Sequence, residues 1–279
     1  MVFTGMAMLC FAANSLLCRL ALAPSLIDAA TFTSVRVLAA AAMLSLMVWL
    51  PHRRLPRLAC ANAGAVVALF GYLVCFSFAY RRLEAGTGAL LLIGAVQLSM
   101  FTIAFWEGER FTPVQWLGLS MALLGFVYLV LPGVSAPDPF GAVLMATSGA
   151  AWGWFSLLAR GAEQPLEANA SNFLCCLVPA LVLNYFSVHQ LEATVLGLML
   201  AVASGAIATG FGYIVWYLAL RQLSAARAAT VQLSMPVLVA FAGAAFLAEP
   251  LTVRLLIASA GLLGGIALVF GHRLPGQRP

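Results

Sequence analysis

The chain has 279 residues, 63% of them hydrophobic and 8% charged, with a formal net charge of +5 and a mean hydropathy of +1.03. Soluble domains are roughly half apolar and a quarter charged, so a soluble enzyme is excluded; at about 20 apolar residues per span, the chain has room for roughly ten membrane helices and little else. All 14 basic residues are arginines, which excludes a lysine Schiff base and the lysine of a phosphate-binding loop, and with it an ATP motor within the chain.

Cutting the chain at charges, prolines and turn residues predicts helices over roughly 3–22, 29–50, 59–80, 85–106 and 113–131. The run from Pro132 to Pro139, rich in proline and glycine, then interrupts the pattern, and further helices are expected over roughly 140–160, 168–187, 193–220, 225–247 and 251–271. No basic region precedes the first apolar run, so that run reads as the first span, not as a cleaved signal. The six cysteines show no metal-ligand spacing and read as small buried hydrophobes. His52, His189 and His272 fall in loops or the tail. Neither a metal nor a cofactor is expected.

The last three helices of the two halves repeat one another. Gly71-Tyr72 matches Gly212-Tyr213, Leu83 matches Leu223, and Glu109 and Thr112 match Glu249 and Thr252. An odd number of spans in each half makes the second copy enter the membrane from the opposite side. The expected fold is therefore an all-α integral membrane protein of ten transmembrane helices, built as two inverted five-helix repeats over residues 1–135 and 136–279. With the N-terminus inside, Arg53, Arg54, Arg57, Arg110, Arg160, Arg221, Arg227, Arg273 and Arg278 are cytoplasmic and only Arg81, Arg82 and Arg254 lie in loops on the other side. That excess places both termini in the cytoplasm.

Inverted repeats around a midplane site are a recurrent transporter design, so the candidate residues are those a central cavity would use. In chain order they begin with Asn14, whose amide both donates and accepts at mid-span, as does that of Gln97. Arg36 lies within an apolar segment, where a charge costs roughly 2.5–3.5 kcal/mol on insertion scales. It must find helix-end carbonyls, an interfacial position or a substrate carboxylate, and the structural options carry more weight. Tyr72, Phe76 and Tyr80 form one helical stripe, and Thr209, Tyr213, Trp216 and Tyr217 another at the matching place in the second half; such stripes serve packing more often than ligands. Trp152 and Trp154 cannot both face inward, and Trp152, a turn from Ser148 and Ser156, is the choice.

Pro236 interrupts an apolar helix and is the candidate hinge. Glu109 and Glu249 sit at helix ends, where capping the following helix explains them better than proton coupling. The spacings of Gly149 with Gly153 and Gly261 with Gly265 permit close helix approach, the latter pair at a scaffold or dimer surface. The other acidic residues also map to loops or helix ends, so no carboxylate is expected at the midplane, and transport reads as uncoupled to protons.

The paired helix ends Glu109-Arg110-Phe111-Thr112 and Glu249-Pro250-Leu251-Thr252, each followed by a glycine-bearing helix, and Arg36 after Phe32 carry a resemblance. The chain resembles the drug/metabolite transporter superfamily, in particular the EamA-type ten-helix bacterial exporters, over essentially its whole length. Within these it looks most like exporters of aromatic and neutral amino acids. The resemblance implies a secondary transporter in the bacterial inner membrane whose partners are a small-molecule substrate and the lipid bilayer, with no nucleic acid, acting as a monomer or weak homodimer. Two alternatives stay open. Transport of nucleotide sugars or other phosphorylated metabolites calls for several cavity cations, where only Arg36 is available. An intramembrane lipid-modifying enzyme would need a cluster of acid, base, nucleophile or metal ligands that the sequence lacks.

Overall fold

A computed structural model describes residues 2–108, 111–133, 136–159, 162–220 and 231–271. Its helices, in chain order, are α1 (Val2–Leu22), α2 (Ala29–His52), α3 (Ala63–Tyr80), α4 (Ala85–Trp106), α5 (Pro113–Val130), α6 (Pro139–Ala159) and α7 (Pro165–Ser187). A continuous helical rod follows, made of α8 (Val195–Val202), a π-helical stretch (Ala203–Phe211) and α9 (Gly212–Leu220). The last two are α10 (Ser234–Leu247) and α11 (Val253–Gly271). Eight of these segments are long and apolar enough to cross a membrane, and α10 and α11 are shorter apolar helices. The protein is an all-α integral membrane protein of ten helical segments in two repeats.

The ends of the helices follow from local chemistry. Asp28 caps α2 by accepting the Ala30 and Thr31 N–H groups at 3.0 and 2.9 Å, Asn62 caps α3 through Ala65 at 3.0 Å, and Thr112 with Gln115 forms a reciprocal capping box on α5. Proline at the first position of α5, α6 and α7 removes an N–H that has no intrahelical partner there. A short 3-10 turn, Leu58–Cys60, precedes α3, so that helix begins later than the hydropathy pattern suggests, and Cys60 is exposed rather than buried.

The packing is unchanged in form when the two halves are exchanged. Helix α6 lies against α3 and α4 of the first half, while α1 lies against α8, the π stretch, α9 and α10 of the second. Helix α2 pairs with α7, and α5 with α11. Each half thus lends its first helix to the other, which is what an inverted duplication requires.

Small residues make the close approaches possible. A Cβ placed on Gly118 or Gly265 would lie 2.5 or 2.3 Å from the other's carbonyl oxygen, and one on Gly125 would lie 2.7 Å from the Leu262 nitrogen. Gly261 and Gly265 therefore serve the α5–α11 contact inside the chain, not a dimer surface. Gly149 and Gly153 do the same between α6 and α4, meeting the carbonyls of Leu92 and Val96. The outward faces carry exposed apolar side chains such as Leu38, Val67, Leu124, Leu181 and Phe246, as a lipid-facing surface demands.

The α2–α7 pair is tied at both ends. At one end the loop before α2 meets the loop before α8, with Asp28 N–H on the Glu192 carbonyl and Thr194 N–H on the Leu26 carbonyl, both at 2.8 Å. At the other, Arg54 clasps both carboxylate oxygens of Glu167, with Nη2 to Oε2 at 2.9 Å, while Ser171 Oγ donates to the Arg57 carbonyl at 2.8 Å. Between them Ser34 Oγ donates to the Ala180 carbonyl at 3.0 Å. This pair forms a spine on which Arg36 is mounted.

Candidate functional site

A narrow cavity of about 70 Å³ lies between the two halves. One wall is aromatic: Tyr72 and Tyr213, which occupy matching positions of the repeat, flank the Trp152 ring at centroid distances of 4.8 and 5.6 Å. Trp216 and Phe11 extend it with an edge-on contact at 5.9 Å. Leu92, Ile93 and Val96 of α4 and Gln232 and Met235 beside α10 complete the lining. Leu92 and Gln232 also match in the repeat, so one half supplies an apolar group where the other supplies an amide.

Arg36 reaches this cavity from the spine and is 1% exposed. Its Nη2 donates to the Tyr72 hydroxyl at 3.3 Å, its Nη1 approaches Cys18 Sγ at 4.0 Å, and its guanidinium carbon stands 4.9 Å from the Phe76 ring centroid and 5.7 Å from that of Tyr72. Its Nε has no hydrogen-bond partner. An arginine side chain keeps its charge in proteins. Cation–π contacts contribute about 0.5–2 kcal/mol each, whereas an ion taken out of water costs several kcal/mol unless paired. The rings leave the charge undercompensated. All acidic residues but Glu109 lie among the described residues, and none lines the cavity.

The π stretch supplies a second unpaired group. Several serine and threonine hydroxyls in the α-helices turn back on a carbonyl of the preceding turn, as Thr33 does with Ala29 at 2.7 Å, Ser77 with Leu73 at 3.0 Å and Ser156 with Trp152 at 2.8 Å, while those of Ser15 and Ser45 are buried without a partner but do not line the cavity. Thr209 lies in the widened turn, is buried at the cavity wall, and its Oγ1 has no partner. Single π turns recur at functional sites; here a Cβ on Gly205 would meet the Arg36 carbonyl oxygen at 2.3 Å, so the same stretch packs directly on α2.

The sequence candidates separate by depth. Asn14, Arg36, Tyr72, Phe76, Trp152, Thr209, Tyr213 and Trp216 line one cavity. Asn14 Oδ1 also accepts the Ser204 hydroxyl at 2.8 Å. Trp154 points outward and is 46% exposed. Tyr80 and Gln97 are buried but stand outside the lining: Tyr80 packs edge-on beneath Phe76 at 4.8 Å and donates weakly to the Ala85 carbonyl at 3.4 Å. Pro236 falls in the first turn of α10, where its missing N–H is tolerated; the helical run breaks three residues earlier, at Leu233, between the lining residues Gln232 and Met235.

Glu109 lies outside the described residues. Glu249 does hold a helix N-terminus, but not that of the helix after it, which Thr252 caps through Leu255 N–H at 3.1 Å. Its Oε2 accepts the Ala85 N–H of α4 at 2.7 Å and its Oε1 pairs with Arg19 Nε at 2.8 Å. Arg19 Nη1 in turn donates to the Tyr80 carbonyl at 3.1 Å, so it is paired between helices. Phe11, Leu92, Ile93, Val96, Gln232 and Met235 are lining residues that sequence reasoning did not select. Of these, only Gln232 carried a polar signal.

A family model described as the EamA-like transporter family matches residues 1–131 and again 139–271. An uncharacterized protein of Pseudomonas aeruginosa is 47% identical over 274 residues, covering 98% of this chain and 95% of that one. An uncharacterized transporter of Archaeoglobus fulgidus is 26% identical over 74% of this chain and 76% of its own length. One of Bacillus subtilis is 23% identical over 70% of each. A crystal structure of another protein superposes with a TM-score of 0.63 at 19% identity, covering 96% of this chain and 95% of that one, a likeness of fold alone.

Proposed function

Because this chain belongs to the EamA-like transporter family, we propose that it exports amino acids of the aromatic or neutral kind, or related small metabolites, across the bacterial inner membrane by alternating access. The observation that carries this reading is one cavity lined by both halves, in which clustered aromatic rings stand beside a small set of amide, hydroxyl and guanidinium groups. A drug-sized organic molecule suits such a lining. A polyphosphate does not, since among the described residues one arginine is the whole cationic content of the cavity.

In this reading the α2–α7 spine stays fixed and α1, α3, α4, α9 and α10 move around it. With both termini cytoplasmic, the Arg19–Glu249 pair seals the outer end. No carboxylate lines the cavity among the described residues, which supports transport without a proton-carrying acid at the midplane. The test is uptake of a panel of labelled amino acids and small carboxylic acids into proteoliposomes, with and without an imposed proton gradient. Transport above empty liposomes, and independent of the gradient, is expected. No transport of any member under either condition rejects the proposal.

A further inference from the structure

We propose that the cavity recognises a net monoanion: a single carboxylate held by Arg36, on an uncharged body that fills the aromatic box. The inference rests on the transporter reading and, among the amino acids and related metabolites it covers, selects carboxylates that lack a free ammonium group.

Three observations on the cavity wall point the same way. The Arg36 side chain is 1% exposed, lines the cavity, and leaves Nε without a hydrogen-bond partner while Nη2 is only weakly engaged with Tyr72 at 3.3 Å. A carboxylate accepts from two guanidinium nitrogens in parallel, the geometry in which arginine binds anions best. Thr209 Oγ1, also buried and unpartnered in the lining, offers one further donor to the same class of group.

Charge accounts for the choice between a monoanion and a zwitterion. The empty site carries one positive charge, and none of the described acidic residues lines the cavity to oppose it. A monoanion neutralises that charge. A zwitterion brings its own positive charge into the same enclosed volume and leaves the total unchanged, with no carboxylate to receive the ammonium. Trp152, Tyr72 and Tyr213, tilted against one another at 4.8 and 5.6 Å, then give an aromatic or branched body apolar surface to pack on. Occlusion of a neutralised site also costs less than occlusion of a bare guanidinium, so the same contact would favour movement of the loaded form over the empty one.

The test is equilibrium binding to the intact, detergent-purified protein by calorimetry, with 3-phenylpropanoate, 3-phenylpropanamide, phenylalanine and phenylalaninamide, repeated with indolyl and branched aliphatic bodies. The acid should bind at least tenfold more tightly than its amide and than the matching amino acid. Arg36→Gln should abolish that preference without weakening the amide, and Arg36→Lys should keep part of it. If the amide or the aminoamide binds as tightly as the acid, or if no acid in the series binds, the inference is overturned, and this comparison needs only the wild-type protein. Acid-selective binding without transport would remove the exporter reading and leave this inference standing. Transport of zwitterions without acid selectivity would do the reverse.

Discussion

Glu249 divides its carboxylate between Arg19 Nε at 2.8 Å and the Ala85 N–H at 2.7 Å, so a loop near the end of the chain closes a helix that begins 164 residues earlier. Arg19 completes the junction on the Tyr80 carbonyl, where α3 ends. Four elements therefore meet at one ion pair whose side chains are 18% and 12% exposed. Glu249→Gln keeps an acceptor for Ala85 but loses the charge. It should cost about 1–3 kcal/mol of stability, read as a lower melting temperature in detergent. Arg19→Gln should cost a similar amount, and the double variant less than the sum, because both changes remove the same contact. Strict additivity would mean that the pair contributes nothing.

Glu84, the N-cap of α4, stands close to that junction without a capping hydrogen bond of its own. Burial, and then the neighbouring Glu249 charge, raise its carboxyl above the ordinary value of 4.5. A folded-state value above the unfolded one means that the folded form binds the proton better, so this contribution is full below about pH 4.5 and is lost as pH rises through the raised value. Melting curves from pH 4.5 upward should carry a destabilising component that Glu84→Gln removes. A variant that tracks the wild type across that range would show that Glu84 is too well solvated to matter.

Much of this architecture can be read from the chain because lipid simplifies the code. Apolar runs cut by charge and proline give the start of α2 and both ends of α4 to the residue, and the matched Gly-Tyr pairs bring Tyr72 and Tyr213 to one cavity. Depth is less legible than face. Tyr80 shares a helical stripe with Tyr72 and Phe76, yet lies two turns beyond Tyr72 and out of the lining, and Gln97 is buried one residue past Val96, which is in it. Where nearly every residue is apolar, Leu92 or Met235 cannot be told from core by composition. Long-range partners are hidden altogether: nothing near Glu249 in sequence announces Arg19. The π stretch is silent for another reason, since Ala203–Phe211 reads as an ordinary helix rich in small residues.

The α5–α11 seam gives a prediction with an internal control. Gly265 faces Gly118 so closely that a methyl group would lie 2.3 Å from a carbonyl oxygen, whereas a Cβ on the adjacent Gly264 meets nothing within 4 Å. Gly265→Ala should lower stability by about 1–3 kcal/mol, the usual range for overpacking, while Gly264→Ala should leave it unchanged or slightly higher through helix propensity. Thermal unfolding of the two variants side by side checks this. Equal losses would indicate that α11 does not pack on α5 through this face.

Thr209 separates stability from binding. Its hydroxyl is buried without a partner within the π-helical stretch. Thr209→Val replaces that hydroxyl with a methyl of similar volume, and removing a buried unsatisfied group is neutral or stabilising. The melting temperature of the empty protein should stay level or rise. Affinity for the transported molecule should instead fall by about two- to tenfold, the worth of one ordinary hydrogen bond of about 0.5–1.5 kcal/mol. A packing role would move both quantities downward together, because the valine would then be filling a space shaped for threonine. Opposite signs in the two measurements would identify the hydroxyl as a group kept unpaired for a ligand.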